Sequence, residues 1–270
     1  MLGKLLKHEF RAAGRMMLPV WLALLVLGVF TNLATRIMVD SDALALNILG
    51  VLIVVLFVFG CVAASVMSIV TMVLRFQRSV LSREGYLTHT LPVSTHSLIW
   101  SRMIVAVVYQ VLTVGVIVGS TAIAVFRTGI VQEAISVFRL ALQELMAQAH
   151  IHGVFYIVEF VVMMLAGGLV CCLMFYTALS IGHSFANHKM LLSVVFYFVL
   201  YCANQLLGLL MIVATVNSRL VQDLLDTRYM QQVFLDTHLL MGLVIGVLLV
   251  LSAIYYILTT VMLKRKLNLA

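Results

Sequence analysis

Charge is scarce in this sequence. Asp, Glu, Lys and Arg make up 10% of its 270 residues, against about a quarter in a soluble domain. With 64% apolar residues and a mean hydropathy of +1.16, the chain falls outside the soluble globular class, and lipid is its main solvent. Proline is rarer still, at Pro19 and Pro92 only, and no low-complexity tract or Gly- or Ser-rich linker divides the chain. Residues 1–270 therefore read as a single transmembrane domain. The four cysteines, Cys61, Cys171, Cys172 and Cys202, sit in apolar runs with no His or carboxylate at ligand spacing, which argues against a disulfide framework and against a zinc site. Three motifs are also missing: the G-x-x-x-x-G-K-[ST] phosphate loop, the G-x-S-x-G elbow and the H-E-x-x-H pair. Without the first, the chain cannot itself cradle ATP in the P-loop manner. Without the others, and with no pair of nearby intramembrane carboxylates, no catalytic residue is assigned.

What the sequence has in quantity is apolar length. A spanning helix needs about 20 apolar residues, and runs near 18–38, 44–74, 103–126, 153–181, 190–216 and 239–263 supply six. The expected fold is all-α and integral to the membrane, with six transmembrane helices and an N-terminal amphipathic interfacial helix. An even count puts both termini on one side. Twelve of the 17 Lys and Arg fall in the terminal segments and the loops that share their side, while seven of the ten acids fall on the other. The positive-inside rule then makes both termini cytoplasmic, in a multi-pass protein of the cell membrane. Once sorted this way, the net charge of +7 calls for no nucleic acid. The first run has no cleavage site after it and reads as a retained anchor.

Residues 1–17 place Leu2, Leu5, Leu6, Phe10, Ala13 and Met17 on one helical face and Lys4, Lys7, His8, Arg11 and Arg15 on the other. This pattern predicts a helix lying flat on the inner leaflet. Glu9 falls within the apolar arc, where an unpaired carboxylate is costly; it either meets a cation elsewhere in the protein or reaches round to solvent or a neighbouring Arg. The segments 127–152 and 217–238 lie outside. The first carries a second amphipathic pattern, and both either cap the exit of a pathway or rest on the outer leaflet.

Inside the membrane the one carboxylate is Glu159, roughly 10 Å by helical rise from the outer end of the fourth span. Arg36 lies at comparable depth near the outer end of the first, so the two form an ion pair or line a pathway. Tyr109, Gln110, Asn204 and Gln205 suit helix-to-helix hydrogen bonds better than a path, and Gly115-x-x-x-Gly119 and Gly242-x-x-x-Gly246 offer packing seams within or between protomers. His89, His96, His183 and His188 all fall on the cytoplasmic side, at spacings that suit solvated loop histidines better than a metal site or pH switch.

The most informative segment is the cytoplasmic loop 75–102, RFQRSVLSREGYLTHTLPVSTHSLIWSR, where Gly85 and Pro92 interrupt the helix pattern and Ser94 can cap the next helix. Its stretch EGYLTHTLPVSTHSLIWSR resembles the signature loop of permease subunits of type-2 ABC exporters of the kind common in Firmicutes. The opening KLLKHEFRAAGRMMLP and the later YTALSIGHSFANHKMLLSVV resemble that family's N-terminal helix and the motif after its fourth span. Ser82 and Arg83 depart from the pattern, which has small and acidic residues there. The resemblance implies a six-span permease that pairs with itself or a sister permease, surrounded by membrane lipids and driven by two separate ABC ATPase subunits. ATP and Mg would be bound by those partners and no cofactor by this chain. It further implies that Glu9 and Arg11 on the N-terminal helix, with Glu84, Gly85, Tyr86, Leu87, Leu91 and Pro92 in the loop, meet the ATPase, and that Gly182, His188 and Lys189 form the second cytoplasmic turn. The cargo would be an amphiphile such as an antimicrobial peptide, an antibiotic or a lipid-like molecule, moved outward. An ion-coupled secondary transporter and an intramembrane enzyme are the rival readings.

Overall fold

The computed structural model describes residues 2–40, 43–78, 95–126, 132–133, 135–140, 143, 151–185, 188–216 and 230–265. Among them every regular element is helical. The six long helices are α1 (Leu2–Asp40), α2 (Leu44–Phe76), α3 (Thr95–Val125), α4 (Ile151–Gly182), α5 (Lys189–Val216) and α6 (Met230–Arg265). Each contains a stretch long and apolar enough to cross a membrane, as the apolar runs predict. Large apolar side chains remain exposed all along them, including Leu22, Phe59, Leu210 and Val250. In water such a surface would be untenable; facing lipid, it is the ordinary exterior of a membrane protein.

The first span corrects the flat interfacial helix. Residues 2–40 form one continuous α-helix with Pro19 inside it, about 58 Å long by helical rise and so about twice the thickness of the hydrocarbon core. Amphipathicity identified the face correctly but not what covers it. Ala13 and Met17 are buried, and the ring of Phe10 packs on Tyr109 of α3, so protein rather than the leaflet covers the face at these three residues. Proline removes one backbone hydrogen bond, a loss that neighbouring helices make tolerable in membrane helices.

The helices group into two compact units. Residues 1–75 and 100–143 form the first, and residues 76–99 and 144–270 the second. In the first, Leu24 of α1, Phe57 and Ala64 of α2 and Ala124 of α3 share a core. At two points α1 and its neighbours approach closely: a methyl added at Gly28 would meet the Ser120 carbonyl oxygen at 2.8 Å, and one at Gly14 the Tyr109 hydroxyl at 2.9 Å. In the second unit α4 packs on both α5 and α6, with Phe76 stacked on Tyr176 at 3.9 Å between ring centres. Among the described residues the expected seams at Gly115, Gly119, Gly242 and Gly246 do not form: an added methyl at any of the four meets nothing within 4 Å.

Candidate functional site

The strongest polar contact in the first unit gathers around Glu9. Its Oε2 accepts a hydrogen bond from Arg75 Nη2 at 2.5 Å, and Arg75 Nη1 donates to the Glu9 carbonyl oxygen at 2.8 Å. Arg102 Nε stands 3.7 Å from Glu9 Oε1. The apolar arc on α1 explains why Glu9 is drawn inward, and Arg75 and Arg102 are the last and first basic residues of the two helices that border the segment 79–94. Only 16% of the Glu9 side chain is exposed, and 4% of Arg102, so this is a desolvated pair rather than a surface one, and the attraction is not screened as an exposed pair's would be. Next to it, the Tyr109 hydroxyl donates to the Phe10 carbonyl at 2.9 Å and its ring stacks on Trp21, whose indole N–H donates to Thr113. The first turns of α1 are thereby fastened to the end of α2 and the start of α3. Arg11 is exposed on the other face of α1. Glu84, Gly85, Tyr86, Leu87, Leu91 and Pro92 lie outside the described residues, as does His89.

The turn between α4 and α5 holds the second group. His188 has φ of 55°, a left-handed conformation that His adopts more readily than most residues, and its carbonyl oxygen accepts from the Leu192 N–H as α5 begins. Gly182 lies against Ser193: a methyl there would fall 2.5 Å from the Ser193 nitrogen and 2.6 Å from its Cα, so only glycine fits. His183, which the family motif did not single out, is buried in this turn, with Nδ1 2.9 Å from the Leu179 carbonyl oxygen and 3.4 Å from Ser193 Oγ. Burial holds its imidazole pKa below the usual value, the Leu179 carbonyl works the other way, and the nearby Lys189 charge adds to the lowering. His96 is engaged as well, its Nδ1 2.6 Å from the Tyr256 hydroxyl and its Nε2 3.3 Å from Lys264 Nζ.

Two intramembrane groups take unexpected positions. Both oxygens of Glu159 lie 2.9 Å from Nδ1 of His238, near the start of α6, and the His238 ring stacks on Tyr156 at 4.2 Å. His238 thus fills the role that depth alone suggested for Arg36. Depth along a helix does not fix the direction in which a side chain points, and a lone His at the close of an outer segment was the only signal available. Arg36 lines a cavity of about 310 Å³ with Val29, Asn32, Ala122, Ile123 and Phe126. Asn204 and Tyr109 do join helices as expected: Asn204 Oδ1 accepts from the Tyr255 hydroxyl at 2.6 Å, whereas Gln205 reaches only Tyr201 on its own helix.

Comparison of the chain with protein-family models, curated proteins and solved structures gives no match.

Proposed function

We propose that this six-helix membrane protein is the permease subunit of an ATP-driven type-2 ABC exporter. The observation that carries the reading is the linkage of Glu9 to Arg75 and Arg102. The loop whose sequence resembles the coupling loop of such exporters lies between α2 and α3, and the N-terminal segment of α1 is the other element that the resemblance assigns to the ATPase contact. Glu9 ties that segment to the α2 border of the loop with charge-assisted hydrogen bonds to Arg75 and to α3 by the longer ion pair with Arg102. A push delivered to the loop by closing ATPase subunits is then transmitted to α1, α2 and α3 together as a rigid-body movement. Few fixed charges along the spans and a largely apolar surface favour an amphiphilic cargo. The termini would be cytoplasmic, the membrane that of the cell, and the energy would come from two ATPase chains.

Reconstitution with candidate ATPase subunits in liposomes tests the reading. The native chain is expected to co-purify with one of them and to raise its ATP hydrolysis, and Tyr86→Ala with Leu87→Ala to abolish the stimulation while leaving the fold intact. Well-folded native protein that neither binds nor alters any ATPase, those encoded beside it included, overturns it.

The contact of Glu159 with His238 favours one second reading, proton-coupled transport, because a carboxylate and an imidazole inside a span are the groups a proton relay uses. Uptake or efflux driven by an imposed pH gradient without any ATPase, and abolished by Glu159→Gln, would select it over the exporter.

A further inference from the structure

Arg36 presents an unsolved electrostatic problem within the first unit. Its Nε is buried and has no hydrogen-bond partner among the described residues, although a guanidinium carries a fixed charge that is expensive to hold in an apolar setting unless something answers it. Two carbonyls near the end of α3, on the helix that shares the cavity with Arg36, are already served by others. The Asn32 amide donates to Ile123 O at 2.9 Å and to Ala124 O at 3.3 Å, and the Phe126 N–H also turns back on Ile123 O. Asn32, one turn before Arg36 on α1, thus caps this helix end. What faces Arg36 instead is the cavity of about 310 Å³, which Asn32 also lines and whose other walls are apolar: Val29, Ala122, Ile123 and Phe126.

We propose that this cavity is a binding site for the anionic phosphate head group of a membrane lipid, held by the Arg36 guanidinium. The chemistry fits on three counts. A guanidinium forks onto phosphate oxygens with two parallel hydrogen bonds. The volume is at the small end of ligand sites, enough for a phosphate and its glycerol but not for acyl chains. Beside it Leu33 and Ile37 are about half exposed, an apolar flank along which the chains can lie outside the cavity. The phosphate is shared with soluble phosphate compounds, and the apolar walls and flank are what select the lipid. The inference stands independently of the exporter reading, since a resident lipid is compatible with any transport mechanism.

Native mass spectrometry of the full chain in detergent, delipidated and then offered dioleoyl phosphatidylglycerol or dioleoyl phosphatidylcholine, tests it. The expected result is one strongly retained phosphatidylglycerol, preferred about tenfold over phosphatidylcholine. Arg36→Gln should lose that preference, and Arg36→Lys should keep part of it. Ala122→Phe fills the cavity without touching the charge and should also lose it, which keeps the proposal falsifiable if Arg36→Gln fails to fold. Arg139→Gln, at an exposed position, should change nothing. Retention that survives both Arg36→Gln and Ala122→Phe, or that falls equally with Arg139→Gln, overturns the site. Displacement by inorganic phosphate at the same concentration overturns the lipid assignment. A native chain that retains no lipid until Asp40→Asn is introduced identifies Asp40, four residues along α1, as the true partner and likewise overturns the proposal.

Discussion

In the first unit the polar contacts at the start of α1 converge on a carboxylate, Glu9 with Arg75 and Arg102, whereas in the second α4 and α6 meet both through a carboxylate, Glu159 with His238, and through hydroxyls. Thr177 Oγ1 lies 3.0 Å from Thr259 Oγ1 and donates to the Tyr255 carbonyl at 3.1 Å, and both threonines are fully buried. The difference follows burial. The carboxylates of Glu9 and Glu159 stay 16% and 24% exposed. Thr177 and Thr259 are fully buried, where a carboxylate would be costly, and each hydroxyl also has the carbonyl four residues back in its own helix to bond. A hydroxyl therefore leaves no orphaned polar atom if its neighbour moves, and a carboxylate does.

The largest break should come in the second unit, at a point where neither chemistry operates. Gly182→Ala sets a methyl against the backbone of Ser193, which cannot rotate away, and overpacking of this kind costs about 3 kcal/mol at the upper end. Equilibrium unfolding in mixed micelles should show that loss. Gly115→Ala, in open space on α3, should be neutral or gain about 0.5 kcal/mol through helix propensity. Next in size, Glu9→Gln leaves Arg75 and Arg102 facing an amide and should cost about 2 kcal/mol, the scale of a hydrogen bond to a charged group. The double variant with Arg75→Gln should cost less than the sum of the singles, because Glu9 and Arg75 act on each other. Additive losses would mean that the contact carries no energy.

Thr177→Val sharpens the contrast from the other side. Hydrogen bonds between helices in membranes average about 0.6 kcal/mol, and Thr259 retains its bond to Tyr255 O when Thr177 is gone. The expected loss is thus below that of Glu9→Gln, measured in the same unfolding experiment. A loss as large as the carboxylate's would show that burial does not govern the choice between carboxylate and hydroxyl.

How far the sequence reveals these contacts follows the same division. Six spans are legible because a period of apolar residues longer than about 20 has few other meanings, and the need of Glu9 for a cation is legible because it sits on an apolar arc. The identity of the cation is not: Arg75 and Arg102 are 66 and 93 residues away, and periodicity constrains a residue only within its own helix. The contact of Thr177 with Thr259 is less legible still, since threonine in a membrane helix ordinarily bonds back to its own turn, and nothing in either run marks the pair. Glu159 was visible as an intramembrane carboxylate, but His238 was hidden by its position near the close of the segment read as an outer loop.

The smallest effect expected is also the one with a distinctive dependence on pH. His183 is buried at the end of α4 with its ring N–H directed to the Leu179 carbonyl, and burial first, then the Lys189 charge, hold its pKa in the folded protein below the ordinary value, which is about 6.5. As pH falls past that value the unfolded chain takes up a proton before the folded one does, so the folded state loses stability until the pH passes the depressed folded pKa, below which both forms are protonated and the slope vanishes. The contribution is fully present above about pH 6.5 and is lost on acidification. Thermal unfolding in micelles between about pH 5 and pH 7.5, around that titration, should therefore show a steeper acid loss for the native chain than for His183→Gln, whose amide does not titrate. Parallel curves for the two would mean that the turn admits water to the imidazole, and that His183 behaves as the solvated loop histidine its sequence position suggests.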